Sequence, residues 1–356
     1  MNRKLLVALA LLTAPLGLAT AAEGRIPLLS LPGPPYVITQ PGHYYLTRDI
    51  GGTPAAVVRI QSDGVTLDLN GFTVSGPTSF VDTTIDINLS SPANLRGITI
   101  RNGRTFGGAY GVRAFGTKGR IRVEKVEISG SRDGISLDAD HAEVIDCHVH
   151  DLVTVGGAPG GGIAVLAYGG RIIDNMVQNT PGTGISALGL RGGEIRRNIV
   201  RNFGAAMPGA WGIKIDDDAF EPGNTNGAVL ADNVVSGLPG GTDDYGIWVR
   251  GTDHMITGNA ASYNGRDGIL IQGPYNHIER NVTNRNGANG LGFAILYPHN
   301  FVVANQSQGN TGCGINVNGA STIYRDNLFA GNTGGNVCTG PGINAGGNYC
   351  NSALCP

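Results

Sequence analysis

Two short stretches of this sequence concentrate the side chains able to do chemistry. Residues 211 to 218 read Trp-Gly-Ile-Lys-Ile-Asp-Asp-Asp, and residues 245 to 250 read Tyr-Gly-Ile-Trp-Val-Arg. In an extended strand successive side chains point to opposite faces, so the aliphatic residue after each Gly marks the buried side. Positions two and four past the Gly then mark the outer side. That count puts Lys214 and Asp216, Trp248 and Arg250, and Leu270 and Gln272 on one surface. A Trp beside Lys, Asp, Arg and Gln is a composition that stacks a sugar ring and grips its hydroxyls or carboxylate. The candidate catalytic groups are Lys214, Asp216, Asp217 and Arg250. The candidate substrate contacts are Trp248, Gln272, Tyr245, Asp244 and His254.

On an acidic polysaccharide this set would support β-elimination, with Arg250 or Lys214 removing the proton α to a uronate carboxylate. Asp216, Asp217, Asp218 and Glu221 form a candidate Ca²⁺ site, since hard cations take carboxylate oxygens, and a bound cation would neutralise the uronate. Hydrolysis by two of the same carboxylates is the variant within this class. The enzyme reading is therefore a polysaccharide lyase or a glycoside hydrolase. A reading of a different class is a non-catalytic module that binds glycan or another surface, or a rigid exported spacer. Plainer roles exist for single residues as well. Asp216 with Arg250 could be an exposed ion pair worth about 0 to 1 kcal/mol, the acids a solvated loop, and His254 an ordinary surface residue.

What must position these groups is a repeat. A Gly-initiated strand is followed thirteen residues later by an Asn and a second strand, as in Gly246 to Asn259, Gly268 to Asn281 and Gly292 to Asn305. From that Asn the next Gly comes nine residues on, as in Asn175 to Gly184 and Asn259 to Gly268, so the basic period is 22. Short β-branched runs at this period describe a solenoid of parallel strands, each coil burying its inner face only against its neighbours. The Asn residues at 175, 198, 233, 259, 281, 305, 327 and 348 then stack in register as a side-chain ladder, with Cys147 in the rung before.

In a solenoid a groove forms where loops grow, and here the departures from period cluster. The Asn-to-Gly step of nine becomes fifteen from Cys147 to Gly162, fourteen from Asn198 to Gly212 and thirteen from Asn233 to Gly246. The step of thirteen becomes twenty-one from Gly212 to Asn233. The strands that begin at Gly212 and Gly246 are therefore expected to be walled on both edges.

The Gly-Ile-x-Val strands and x-Ile-x-x-Asn-x-Val turns, over about Tyr36 to Asn348, resemble the right-handed parallel β-helix superfamily. That superfamily includes pectate lyases, polygalacturonases, alginate epimerases, phage tailspikes and periplasmic copper-maturation β-helix proteins. The resemblance implies an all-β, single right-handed parallel β-helix. The superfamily's catalytic signatures do not carry over. Polygalacturonase-like Asn-Thr-Asp, His-Gly and Arg-Ile-Lys elements and the pectate-lyase-like Arg-x-Pro-x-x-Arg are absent. Of the alginate-epimerase pattern Tyr-Gly-x-Asp-Pro-His, Tyr245-Gly246 supplies the first two residues and Ile247-Trp248-Val249-Arg250 follows instead of the acid and the His.

The segment boundaries follow from composition. Residues 1–22 read as a signal peptide, with Arg3 and Lys4 ahead of an apolar stretch too short to span a bilayer and cleavage near Ala21 or Ala22. A secreted or periplasmic protein without a membrane span is expected, acting as a monomer on a glycan. Loss of those two cations takes the formal charge from −2 to −4, and nothing in the chain points to nucleic acid. Residues 23–35, with four prolines, read as an extended arm; 36–348 as the helix, with 77–95 less regular; and 349–356 as a tail folded over the last rung. Export permits disulfides, and at least one bridge is expected among Cys338, Cys350 and Cys355, with Cys147 an inert buried thiol.

Overall fold

The computed structural model describes residues 24–355 apart from 53–55, 78–81, 88–94, 118, 206–208, 218–222, 224, 238–243, 294–297, 318–320, 339 and 341. The signal-peptide reading of residues 1–22 lies outside this set. The chain is a right-handed parallel β-helix, and the described residues contain no α-helix. Thirteen strands, from Tyr36–Ile38 to Gly335–Cys338, stack in parallel as the first face. A second face runs through Glu143–Ile145, Arg171–Ile173 and Glu194–Arg196, and a third through His148–His150, Met176–Thr180 and Ile199–Phe203. The second and third faces join where Ile98–Phe106 and Ile121–Ser129 run unbroken across both.

Side-chain alternation makes the core. Ile135, Ile163, Ile185, Ile213, Ile247 and Ile269 lie opposite one another on successive rungs of the first face and are essentially inaccessible. Each follows the Gly that opens its strand. A Cβ built on Gly212 would approach the Val235 side chain to 2.2 Å, so that position has no room for a larger residue. Between the second and third faces the chain turns within one residue, and that residue takes the left-handed conformation: Asp174 at φ 59°, Arg197 at 54°, Asp232 at 57° and Arg280 at 52°.

The residue after each of these is the ladder Asn, turned inward. Asn259 donates its backbone N–H and its Nδ2 to Asn281 Oδ1 at 2.9 and 3.0 Å, and its Nδ2 also donates to Leu230 O at 2.8 Å in the preceding coil. The same pattern runs without a break from Asn175 to Asn348, and Cys147 joins it by donating its N–H to Asn175 Oδ1 at 2.9 Å. Burial pushes the Cys147 thiol up to about 12, which keeps it protonated and inert.

Two further ladders were not read from the sequence. Asn264, Asn286, Asn310 and Asn332 connect side chain to side chain at 2.9 Å, each five residues after a first-ladder Asn. Five residues before the first ladder, His254, Asn276 and Asn300 form a third column, in which the His254 and Asn276 backbone N–H groups donate to the next amide oxygen at 2.9 Å.

The ends differ from expectation in detail. Arg25–Pro27 pairs in parallel with Gly42–Tyr45, and Leu28 is fully buried, so the helix begins inside the Pro-rich segment rather than after it. Ile85–Ile87 is a regular rung of the first face, so order returns before Leu95. At the other end Tyr349–Cys350 forms a last rung on Leu328 and Phe329, and Ala353–Leu354 folds back antiparallel on it. Disulfides join Cys350 to Cys355 and Cys313 to Cys338. No helix among the described residues is long and apolar enough to cross a membrane.

Replacing Asn281 by Ala strips Asn259 of its acceptor and leaves buried donors and acceptors unmet on both sides. A loss of about 1 to 3 kcal/mol in urea unfolding is expected; an unchanged midpoint would mean that the column does not bear on stability.

Candidate functional site

The outer side of Trp211–Asp216 and Tyr245–Arg250 gathers most of the residues singled out in the sequence. The strands pair so that Trp211 lies opposite Tyr245 and Lys214 opposite Trp248, with Arg250 opposite Gln272 on the next rung. Lys214 Nζ meets Asp216 Oδ2 at 2.8 Å, and Arg250 reaches Asp216 Oδ1 at 3.2 Å. Asp216 is thus a carboxylate held between two cations, and the three side chains together carry one positive charge. The expected Asp216 and Arg250 ion pair is present, with Lys214 added to it.

The indoles complete the cluster. Trp211 and Trp248 lie 5.6 Å apart, centroid to centroid. The Lys214 ammonium sits 4.5 Å from the Trp211 ring centroid and 5.0 Å from that of Trp248, and the Arg250 guanidinium is 5.4 Å from Trp248. Cation and ring quadrupole attract in this geometry. It also covers Trp248, which is only 8% exposed despite its outward position. Trp248 is therefore not the open stacking platform expected of it. Trp211, which sequence reasoning passed over because it precedes its Gly, is half-buried and keeps more of its ring accessible.

Three other expected contacts are engaged by the surrounding protein. Asp244 is 4% exposed and packs against Gly204. Tyr245 is half-buried beneath the Arg266 guanidinium, 4.9 Å from its ring centroid. His254 is buried in the third column, where its Nδ1 accepts the Ala228 N–H at 3.0 Å and its Nε2–H donates to Arg250 O at 3.2 Å. Burial holds its pKa down at about 4, so it is neutral and committed to the backbone. It is neither a surface residue nor free to act as a base. Its effect on the site is indirect, since it anchors the end of the strand that carries Arg250.

The metal reading fares differently for its four residues. Asp218 and Glu221 lie outside the described residues. Asp216 is occupied by Lys214, Arg250 and the Asp217 N–H, and Asp217 Oδ1 accepts the Thr225 N–H at 3.2 Å. Among the described residues no group of three or more His, Cys, Asp or Glu side chains is placed to share a metal ion. What the described arrangement can do is grip an anion. Arg250 has five N–H donors and Lys214 three, more than Asp216 uses.

Neither a protein-family model nor a curated protein matches this chain. Among solved structures it is similar to the A-module of mannuronan C-5 epimerase AlgE4 from Azotobacter vinelandii, with a TM-score of 0.67 and 13% identity over 85% of this chain and 91% of that one. It is also similar to DFA-IIIase from Arthrobacter chlorophenolicus A6, determined in complex with GF2, with a TM-score of 0.51 and 11% identity over 79% and 83% of the two chains. At these identities the likeness is one of fold.

Two substitutions test the geometry. Because Trp248 is packed between cations and a second indole, Trp248→Ala is expected to cost about 3 kcal/mol of unfolding free energy; a melting temperature equal to the parent's would put the ring back at the surface. For His254, the folded pKa of about 4 lies below the exposed value of 6.5. Between those values the unfolded chain takes a proton that the native chain refuses, so stability is full above pH 6.5 and falls as the pH drops toward 4. His254→Asn, which supplies the amide used by Asn276 and Asn300, should remove that part of the acid loss in urea unfolding curves recorded from pH 7 to 4. An unaltered pH dependence would refute the buried, neutral assignment.

Proposed function

We propose that the chain is an exported β-helix that binds an acidic polysaccharide on the outer side of its first face. The observation that carries this reading is the Lys214, Asp216 and Arg250 cluster. Asp216 fixes the orientation of both cations, the Arg250 side chain stays 44% exposed, and the spare donors face outward beside Trp211. A preorganised guanidinium of this kind suits bidentate capture of a carboxylate, and an adjacent ring suits a sugar face. The local positive charge stands out in a chain whose formal charge is −2. Carbohydrate as the ligand class gains support from two fold neighbours whose names attach them to mannuronan and to a GF2 complex. The two disulfides agree with an oxidising compartment.

Binding is favoured over turnover by the state of the charged groups. Both Asp216 oxygens are taken up by Lys214, Arg250 and the Asp217 N–H, and Lys214 points at Asp216, so neither group is placed to reach a substrate proton. Cleavage by β-elimination or hydrolysis is the second reading, and it draws on the same fold neighbours. The Ca²⁺ reading of Asp216, Asp217, Asp218 and Glu221 is addressed by running each measurement with and without added Ca²⁺.

The test is a glycan array with the mature protein, followed by calorimetry on the acidic glycans retained and assay of the same mixtures for new reducing or unsaturated ends. Arg250→Ala should weaken binding about tenfold or more, the worth of one charge-assisted clamp, with little change in melting temperature. Full binding by that variant would sink the groove assignment, and new chain ends would move the reading from binding to cleavage.

A further inference from the structure

The count of two past the Gly that located Lys214 and Trp248 also runs along the rest of the first face. Register sets Arg113, Ser136, Ala164, Ser186 and Lys214 opposite one another on five successive rungs, all outward. Three small side chains thus separate two cations. Four strand spacings of about 4.8 Å put the ends about 19 Å apart. Ala164 is exposed, while Ser136 and Ser186 are half-buried, so the row between the cations is an open floor with hydroxyls at two of its three rungs.

The far end repeats the chemistry of the near one. Arg113 rests on two rings, 5.0 Å from the Tyr110 centroid and 5.6 Å from that of Phe115, and Phe115 is 59% exposed. On the preceding rung Asp86 lies between Arg59 and Arg113 in register, whereas Asp216 meets a cation of its own strand, Lys214, and one of the next rung, Arg250. The parallel is not complete, because neither Asp86 oxygen has a hydrogen-bond partner and burial raises its pKa to about 6. Among the described residues Arg113 has no carboxylate within ion-pair distance. The nearby acids are otherwise engaged: Asp133 with Arg132 at 2.8 Å, and Asp138 with the Gly116 N–H at 3.1 Å. Arg113 is therefore a guanidinium fixed by aromatic contacts that, among the described residues, shares its charge with Asp86 and forms no side-chain hydrogen bond.

We propose that Arg113 is a second carboxylate subsite, and that the ligand is a polyuronate chain lying along the helix axis over Ser136, Ala164 and Ser186, with its carboxylates on Arg113 at one end and on Lys214 and Arg250 at the other. This rests on the acidic-glycan reading of the Lys214 cluster and adds to it a direction and a minimum length. Small floor residues leave room for pyranose rings where larger side chains would stand in the way. A two-residue ligand reaches only one end.

The experiment is calorimetric titration of the full mature chain with uronic-acid oligomers of two and six residues, for the parent and for Arg113→Gln. In the parent the six-residue chain should bind about tenfold tighter than the two-residue one, the worth of one more charged contact. Arg113→Gln should lose most of that gain and leave two-residue binding and the melting temperature as they were. A parent that binds both lengths equally, or an Arg113→Gln variant that keeps the whole gain, overturns the second subsite and leaves the Lys214 reading standing. A parent that binds neither oligomer overturns both.

Discussion

The architecture depends on how a backbone can turn sharply inside a stack without stranding its polar groups. At each corner between the second and third faces the chain spends one residue in the left-handed region, and the N–H that follows faces into the coil. There it would be cut off from water, and leaving such a donor unmet costs about 1 to 3 kcal/mol. The Asn side chain of the next coil removes that cost by accepting it, while the same amide donates to a carbonyl one coil back, as Asn281 does for the Asn259 N–H and to Ile256 O. Each corner is therefore satisfied only by its neighbours, and the coils are stable as a column rather than singly.

That dependence leaves the outer surface free to vary. Core positions on the first face take apolar residues, aliphatic along the row from Ile135 to Ile269, and the Gly before each is held by its close contacts. Outward positions face no such demand, and charge gathers on them: Arg59, Asp86 and Arg113 near one end, Lys214, Asp216 and Arg250 farther along. Where the outer cluster needs a rigid base the ladders supply it. His254 takes the place of an Asn in the third column and at the same time holds the carbonyl of Arg250. A single side chain there belongs both to the scaffold and to the support of the site.

Much of this was legible in the sequence, because period and register are one-dimensional properties. The 22-residue spacing, the first Asn column, the inward Ile row and the Cys350 to Cys355 neighbourhood could all be counted off. The second and third columns were equally periodic, five residues after and five before the first, but their Asn and His residues look like ordinary turn residues until the turns are stacked. Side-chain cover was harder to read. Outward alternation predicts which way Trp248 leaves the strand, yet not that Lys214, Arg250 and Trp211 close over it. The same limit applies to Asp244 and His254, whose burial arises from the packing of turns and not from strand alternation. Arg113 was readable by the very rule that found Lys214; its seat on the Tyr110 and Phe115 rings was not.

A surface built from stacked, nearly equivalent rungs is also a ruler. Since each coil presents one outward residue per column and closes its own corner with one Asn, adding or deleting a coil between Arg113 and Lys214 would alter the distance between those cations by one strand spacing, about 4.8 Å, without redesigning either end. Lineages of such a protein could retune ligand length in whole steps, by unequal exchange between repeats, where a globular binding cleft would have to be rebuilt residue by residue.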